Sequence, residues 1–363
     1  MKCGIVGLPN VGKSTLFNCL SNAKALAANY PFATIEPNVG VIPVPDDRMA
    51  KLEELVKPEK MHQAIVEIVD IAGLVRGASK GEGLGNKFLA NIRETQAIIH
   101  VLRCFDNDNI THVDETINPV RDKETIDIEL QIKDLESVEK KIETTKKKTR
   151  TGDKEAAKHL SILEKYKAHF ESGLSARSID LTAKEKEVVE DLMLLTDKPI
   201  LYICNVNEND ANDGNAYVDA VREAIKNEDS EMLIIAAGME ADIMELETFE
   251  ERQEFLSDMG LDEPGVKKVI RTAYTLLNLQ TYFTAGVKEV RAWTIKEGFT
   301  APQAAGVIHT DFEKGFIRAE VIKYDDYVAL GSELACKEAG KLAVEGKEYI
   351  VQDGDIMHFR FNV

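Results

Sequence analysis

Eight residues near the start, Gly7-Leu8-Pro9-Asn10-Val11-Gly12-Lys13-Ser14, carry the spacing G-x-x-x-x-G-K-[ST]. That spacing builds a loop whose backbone N–H groups converge on a phosphate chain. The apolar run Cys3-Gly4-Ile5-Val6 ahead of it reads as a buried strand, and Ser14 to Leu20 behind it reads as the first turns of a helix. A loop between strand and helix adds the partial positive charge of a helix N-terminus at the same spot. Lys13 would reach the β- and γ-phosphates, and the Ser14 hydroxyl would hold Mg²⁺. A chance match in a glycine-containing turn is the alternative, and the flanking strand and helix weigh against it.

A phosphate loop alone fits kinases, ATPases and GTPases, so further spacing must narrow the chemistry. Asp70-Ile71-Ala72-Gly73 ends the strand-like run Ile65-Val66-Glu67-Ile68-Val69 with D-x-x-G. Asp70 would hold Mg²⁺ through water, and the Gly73 N–H would meet the γ-phosphate. Thr34, between the first helix and the next strand, could close on Mg²⁺ only while the γ-phosphate is present. The pair makes a two-state sensor of the triphosphate. The glycines at 73, 77, 81, 83 and 85 permit positive φ, and that run reads as the mobile second switch. No lid or second-substrate site of the kind a kinase needs is evident.

The residue after Gly73 is Leu74, which cannot orient water as a Gln would. His112, in the polar run Asp106 to His112, is a candidate for that task; an exposed loop histidine with no catalytic part fits as well. Asn10 could coordinate a monovalent cation, K⁺, beside the phosphates and so supply positive charge in the transition state. Ordinary loop packing explains Asn10 equally well.

The base is read elsewhere. GTPases of this kind end a strand with N-K-x-D, whose carboxylate accepts from guanine. Here Asn205-Val206-Asn207-Glu208 follows the run Pro199 to Cys204. Asn205 remains to hold the base N7, Val206 replaces the Lys, and the longer Glu208 replaces the Asp. A displaced carboxylate loses paired geometry, which weakens guanine recognition. Adenine presents an N6 donor and an N1 acceptor, which backbone near Val206 and Ala237-Gly238-Met239 could satisfy. ATP is the expected substrate, with GTP the alternative.

These residues must be carried by a scaffold. Apolar runs at Ile65–Val69, Ile98–Leu102, Pro199–Cys204 and Met232–Ile235, interleaved with helical stretches, predict an α/β fold, a mostly parallel sheet with helices on both faces. Between residues 100 and 200 the period becomes helical: Ile128, Ile132, Leu135, Val138 and Ile142, then Leu160, Leu163, Tyr166 and Phe170 after the polar break Thr151-Gly152-Asp153. Two amphipathic helices joined by a short turn predict an inserted, partly coiled-coil-like hairpin. Its tip gathers Lys140, Lys141, Lys146, Lys147, Lys148, Arg150, Lys154 and Lys158. A solvated helix end is one reading and RNA contact the other. From about Asn278, short runs such as Tyr282–Thr284, Val290–Trp293, Phe316–Val321 and Tyr349–Val351, with a helix at Pro302–Val307, predict a compact α+β module.

The chain has 363 residues and a formal net charge of −18, against coating nucleic acid by bulk charge but not against a local basic patch. Five scattered cysteines without C-x-x-C suggest neither disulfides nor zinc. With no apolar run long enough to span a bilayer and a strand beginning almost at Met1, a cytoplasmic protein, a monomer without a membrane partner, is expected.

The motifs together resemble the Obg family of P-loop NTPases, and within it the YchF subgroup of ribosome-associated Obg-like ATPases. They are Asn10 to Thr15, Tyr30 to Pro37, Asp70 to Val75, Gly77 to Asn86, Asn205 to Glu208, and Gln280 to Gly286. The resemblance covers essentially the whole chain. It implies a G domain (1–120 with 196–277), an inserted helical hairpin (121–195) and a C-terminal β-grasp TGS domain (278–363). It also implies ATP hydrolysis and binding to the ribosome or its large subunit. Asn10, Val11, Gly12, Lys13, Ser14, Thr15 and Val206 would contact nucleotide, and Ser14 and Thr34 would ligate Mg²⁺. A ribosome- or RNA-binding module in which hydrolysis is incidental is the competing expectation, and Leu74 favours it.

Overall fold

The computed structural model describes residues 1–22, 38–71, 84–110 and 116–362. Thr34, Gly73, Leu74, His112 and most of the glycine-rich run lie outside the described residues.

In chain order the elements are β1 (Lys2–Val6), α1 (Lys13–Asn22), β2 (Val39–Pro43), α2 (Asp47–Val56), β3 (Met61–His62), β4 (Ile65–Asp70), α3 (Leu84–Arg93), β5 (Ala97–Arg103), α4 (Pro119–Thr149), α5 (Lys154–Glu171), α6 (Ala183–Lys186), β6 (Ile200–Asn205), α7 (Ala216–Ile225), β7 (Glu231–Ile235), α8 (Ala237–Glu245), α9 (Phe249–Asp258) and α10 (Gly265–Leu276). Then come β8 (Leu279–Ala285), β9 (Val290–Lys296), α11 (Ala301–Ile308), α12 (Thr310–Lys314), β10 (Phe316–Ile322), α13 (Tyr324–Leu330), α14 (Glu333–Glu338), β11 (Ala343–Glu345) and β12 (Ile356–Phe361).

Two compact units emerge: Met1–Gly40 with Glu67–Val269, and Val41–Val66 with Ile270–Val363. This division differs from the expected segments. The stretch Val41–Val66, expected in the nucleotide-binding part, clusters with the C-terminal residues, where β3 runs parallel to β9 with His62 opposite Arg291. The Arg48 guanidinium of α2 also pairs with Asp353 at 2.7 Å and lies 5.0 Å from the Phe283 ring.

The first sheet has the order β2-β4-β1-β5-β6-β7. β1 is parallel to β4 and β5, and β6 to β5 and β7. β5 is buried along its whole length, His100 and Arg103 included, as a largely apolar strand covered on both faces must be. Because these strands share a direction, their C-terminal ends share one edge. Val6, Asp70, Arg103, Asn205 and Ile235 all end strands there, which gathers chemistry at the crevice beyond the strand ends.

The hairpin is α4 and α5, joined across Thr151-Gly152-Asp153, with the Asp153 side chain accepting from Glu155 and Ala156 N–H. Gly152 adopts φ +86° in the turn. Val138, Ile142, Leu163, Tyr166 and Phe170 form its core. The expected stripe of α4 turns inward at Leu135, Val138 and Ile142, but nearer the start of the helix Ile128 is 52 % exposed, and Ile126, Leu130 and Asp134 are buried instead. Both stripes have helical spacing, and the buried one includes a polar residue, Asp134. Its carboxylate accepts from Leu195 N–H, Thr196 N–H and Thr196 Oγ at 2.7–2.8 Å. These bonds replace water around the charge, while burial pushes the carboxyl above its ordinary pKa.

The second sheet is mixed, in the order β11-β10-β12-β8-β9-β3, and packs against α11 around Tyr282, Ala304, Ala305 and Phe359. The expected strand at Tyr349–Val351 is absent; Ile350 makes an isolated bridge to Thr300. Tyr349 instead turns its hydroxyl to Asp355 Oδ2 at 2.6 Å, beside Lys323 Nζ on Oδ1 at 2.6 Å.

Candidate functional site

The phosphate loop sits where β1 hands over to α1, and its conformation explains its residue types. Asn10 has φ +65° and Gly12 φ +91°, so successive amides turn to one side of the loop. A Cβ on Gly12 would run into the Asn205 side-chain amide, and one on Gly7 would lie 2.8 Å from the Val101 carbonyl oxygen. Val11 is buried as the loop's apolar anchor. Ser14 and Thr15 stand exposed in the first turn of α1, where amides lack intrahelical partners.

Lys13 is only 9 % exposed, and its Nζ is paired with Asp70 Oδ1. The register of β1 against β4 sets Ile5 opposite Asp70, which carries the carboxylate to the amine. Two residues 57 positions apart, named from independent motifs, are thus in direct contact. Ser14 supplies a hydroxyl oxygen and Asp70 carboxylate oxygens, a hard-oxygen set suited to a small divalent cation that keeps phosphate and water as its other ligands. Among the described residues no group of three or more His, Cys, Asp or Glu forms a metal cluster, and all five cysteines are buried and free.

On the base side, Asn205 ends β6 and is 4 % exposed. Its Nδ2 donates to the Val11 carbonyl at 2.9 Å, and its Oδ1 accepts from Ala237 N–H at 2.9 Å. The side chain therefore ties phosphate loop, β6 and α8 together, leaving one amide hydrogen for a base. The Val206 N–H donates to Ile235 O at 2.9 Å. Two amides expected to meet adenine, those of Val206 and Ala237, are thus engaged within the protein. What remains open is the first turn of α8, which has no side-chain N-cap and where Gly238 is exposed. Met239 is buried beneath it, and Glu208 is exposed at the start of a 3₁₀ turn, Glu208–Asp210.

Sequence reading missed the residues that fix these loops. Arg103 is 1 % exposed and donates to the carbonyls of Phe105, Asn107 and Ile110 at 2.9–3.2 Å, shaping the loop that leads toward His112. Asn215 caps α7 and donates to Cys104 O and Asp210 Oδ2 at 2.8 Å each. The Tyr217 hydroxyl donates to Asp106 Oδ1 at 3.0 Å, joining that loop to α7. An Asn three residues before the apolar stripe Val218, Val221 and Ile225 was a readable N-cap signal. Nothing local marks Arg103, whose neighbours on β5 are all apolar except His100.

Comparison with known proteins agrees with this arrangement. A family model described as "50S ribosome-binding GTPase" matches residues 2–134. The YchF GTPase C-terminal family, described as a protein of unknown function, matches residues 279–362. The chain is 59 % identical over 362 residues to the "Ribosome-binding ATPase YchF" of Pasteurella multocida, covering all of this chain and 99 % of that protein. The protein of the same name from Bacillus subtilis is 53 % identical over 365 residues, with both chains fully covered. Among solved structures, the Schizosaccharomyces pombe YchF GTPase superposes with a TM-score of 0.91 at 40 % identity, over 99 % of this chain and 97 % of that one. Identity at this level along the full length, with the Lys13–Asp70 and Asn205–Val11 contacts in place, means that the chain belongs to the YchF family.

Proposed function

We propose that the chain is a Mg²⁺-dependent ATPase that binds the ribosome and switches with the state of its nucleotide. The observation that carries this is the contact of Lys13 with Asp70 at the N-terminus of α1, beside exposed Ser14 and Thr15. Loop amides and Lys13 would take the phosphate tail, with Lys13 leaving Asp70 for the β- and γ-oxygens. Ser14, Asp70 through water and Thr34 would hold Mg²⁺, which neutralises charge on the phosphate oxygens. Gly73 N–H would sense the γ-phosphate. Leu74 offers no hydrogen bond to the attacking water; His112 would orient that water, or a K⁺ ion held at Asn10 would supply positive charge.

Preference for ATP rests on Val206 and Glu208, which remove the guanine-reading pair, and on the open first turn of α8. GTP is the second reading, favoured by the intact Asn205. The site set is Asn10, Val11, Gly12, Lys13, Ser14, Thr15, Asn205, Val206, Glu208, Ala237, Gly238 and Met239, the last three through backbone. The basic end of the hairpin and the C-terminal α+β unit, read as a TGS domain, are the parts offered to ribosomal RNA. The curated relatives' name, ribosome-binding ATPase, supports the partner. Among the described residues no helix is long and apolar enough to cross a membrane.

Titration calorimetry of ATP and GTP with Mg²⁺ tests the base. Tighter GTP binding would overturn the ATP assignment. Lys13→Ala that keeps ribosome binding and cellular effect unchanged would favour a module in which hydrolysis is incidental.

A further inference from the structure

A cleft of about 1010 Å³ opens within the first unit between α3, α4, the start of α5 and the 3₁₀ turn Glu187–Leu192. It is separate from the phosphate loop and is lined on one side by Arg93 of α3 and on the other by Lys133, Lys140, Lys141 and Lys148 of α4. On a chain of net charge −18 such a concentration of cations in a concavity is against the background.

Not all of these charges are available. Lys133 pairs with Glu136 at 2.9 Å, and Lys141 with Asp191. Asp153 and Glu155 also face the cleft, at the hairpin-turn end, and Asp153 is occupied in capping α5. Lys140 and Lys148 have no ion-pair partner among the described residues. The Arg93 guanidinium has only Ser137 Oγ, at 3.4 Å. Three uncommitted cations therefore face one concavity. Lys140 and Lys148 share a face of α4, about 12 Å apart along its axis at 1.5 Å per residue. With Arg93 of α3 also lining the cleft, the three cations are spaced for separate phosphates of a chain.

We propose that this cleft grips a phosphodiester strand of RNA, and that its occupancy is felt at the nucleotide site through α3. Arg93 sits in the last turn of α3. That helix begins at Leu84, inside the glycine-rich run Gly73 to Gly85 read as the second switch. A strand bridging Arg93 to Lys140 and Lys148 would fix α3 against the hairpin and so bias the residues at its other end. The proposal rests on the reading that the hairpin faces RNA on the ribosome, and it moves the contact from the exposed tip into the cleft.

The test uses the full chain, a fluorescein-labelled single-stranded RNA 12-mer of mixed sequence, anisotropy and steady-state ATP turnover. Wild type is expected to bind with a slope of log K against log salt of about −2, as three phosphate contacts on a single strand give. Lys140→Glu with Lys148→Glu should weaken binding at least tenfold. A tip control, Lys147→Glu with Arg150→Glu, should change it less than threefold. RNA should raise ATP turnover, and Arg93→Glu should abolish that rise while basal turnover stays at the wild-type value. Affinity lost in the tip control but kept in the cleft variant overturns the proposal, as does equal competition by polyglutamate. RNA binding without any change in turnover overturns the coupling. Wild type that sediments with ribosomes yet ignores the 12-mer overturns the cleft and leaves ribosome binding standing; wild type that does neither overturns both.

Discussion

The Asn205 side chain donates to the main-chain oxygen of Val11 at 2.9 Å, across 194 positions of sequence. A residue expected to face the base is thus also a brace for the loop that holds the phosphates. Asn205→Ala leaves the Val11 carbonyl and the Ala237 N–H buried without partners. Each orphaned group costs about 1–3 kcal/mol, so urea unfolding should show a loss within or above that range. ATP affinity should fall with it, because the loop loses its brace. Asn205→Ala with unchanged stability would mean that the loop is held by other contacts.

Gly12→Ala should be as damaging with a smaller change of mass. Its φ of +91° is strained for any L side chain, and the added methyl meets the Asn205 amide. Calorimetry should find no measurable ATP binding. Gly152→Ala also has positive φ, at +86°, but open space around its Cβ. It should lose only backbone stability, with ATP binding intact.

Asp134→Ala tests the base of the hairpin. The carboxylate holds Leu195 N–H, Thr196 N–H and Thr196 Oγ, and no solvent reaches it to replace these bonds. Stability should drop by about 2–4 kcal/mol, two to three orphaned donors allowing for partial relaxation. A loss under 1 kcal/mol in chemical denaturation would show that the site collapses or admits water.

How much of this was legible follows from how local each signal is. The phosphate loop, Asp70 and Asn205 were readable because motif spacing and strand ends lie within a few residues of each other. The Lys13–Asp70 contact followed once two parallel strands were placed side by side. The assignment of Val41–Val66 was not readable, since β3 is two residues long and takes its meaning from a partner more than 200 positions away. Near the start of α4, Ile128 and Ile126 both keep helical spacing, and only the partners of Asp134 decide which of them turns inward. Tyr349–Val351 has strand composition, but the Tyr349 hydroxyl is claimed by buried Asp355, a tertiary bond that overrides propensity. The bracing by Arg103 was invisible because all its acceptors are backbone carbonyls.

His100 gives the fold a pH dependence. It lies on β5, 1 % exposed, with neither ring nitrogen hydrogen-bonded and Tyr202 at 5.6 Å between ring centroids. Burial, then the charges of Lys123 and Arg177, lower its pKa to about 3, against about 6.5 in an unfolded chain. Below pH 6.5 the unfolded chain takes up a proton that the native state refuses, so stability is full above pH 6.5 and falls as pH drops toward 3. The slope approaches about 1.4 kcal/mol per pH unit in that window. His100→Phe removes two unpartnered nitrogens. It should match or exceed wild-type stability at pH 7 and flatten the decline between pH 6 and pH 4. An unchanged acid slope in the variant would assign the decline to other groups.

Base choice should be reversible at two positions. Val206 occupies the place where a guanine site carries Lys, and the exposed Glu208 carries its carboxylate one methylene further out than Asp would. Val206→Lys with Glu208→Asp rebuilds the paired acceptor for the guanine N1–H and 2-amino group and adds a Lys stem to cover the ring. A site made to hydrogen-bond a polar group rejects analogues lacking it by large factors. The ratio of GTP to ATP affinity should therefore rise at least tenfold, about 1.4 kcal/mol, with Mg²⁺ present. Glu208→Asp alone should give the smaller part, because the 4 % exposed Val206 still leaves the ring uncovered. If the double variant binds both nucleotides as wild type does, discrimination lies in the first turn of α8, and Gly238 and Met239 become the residues to exchange.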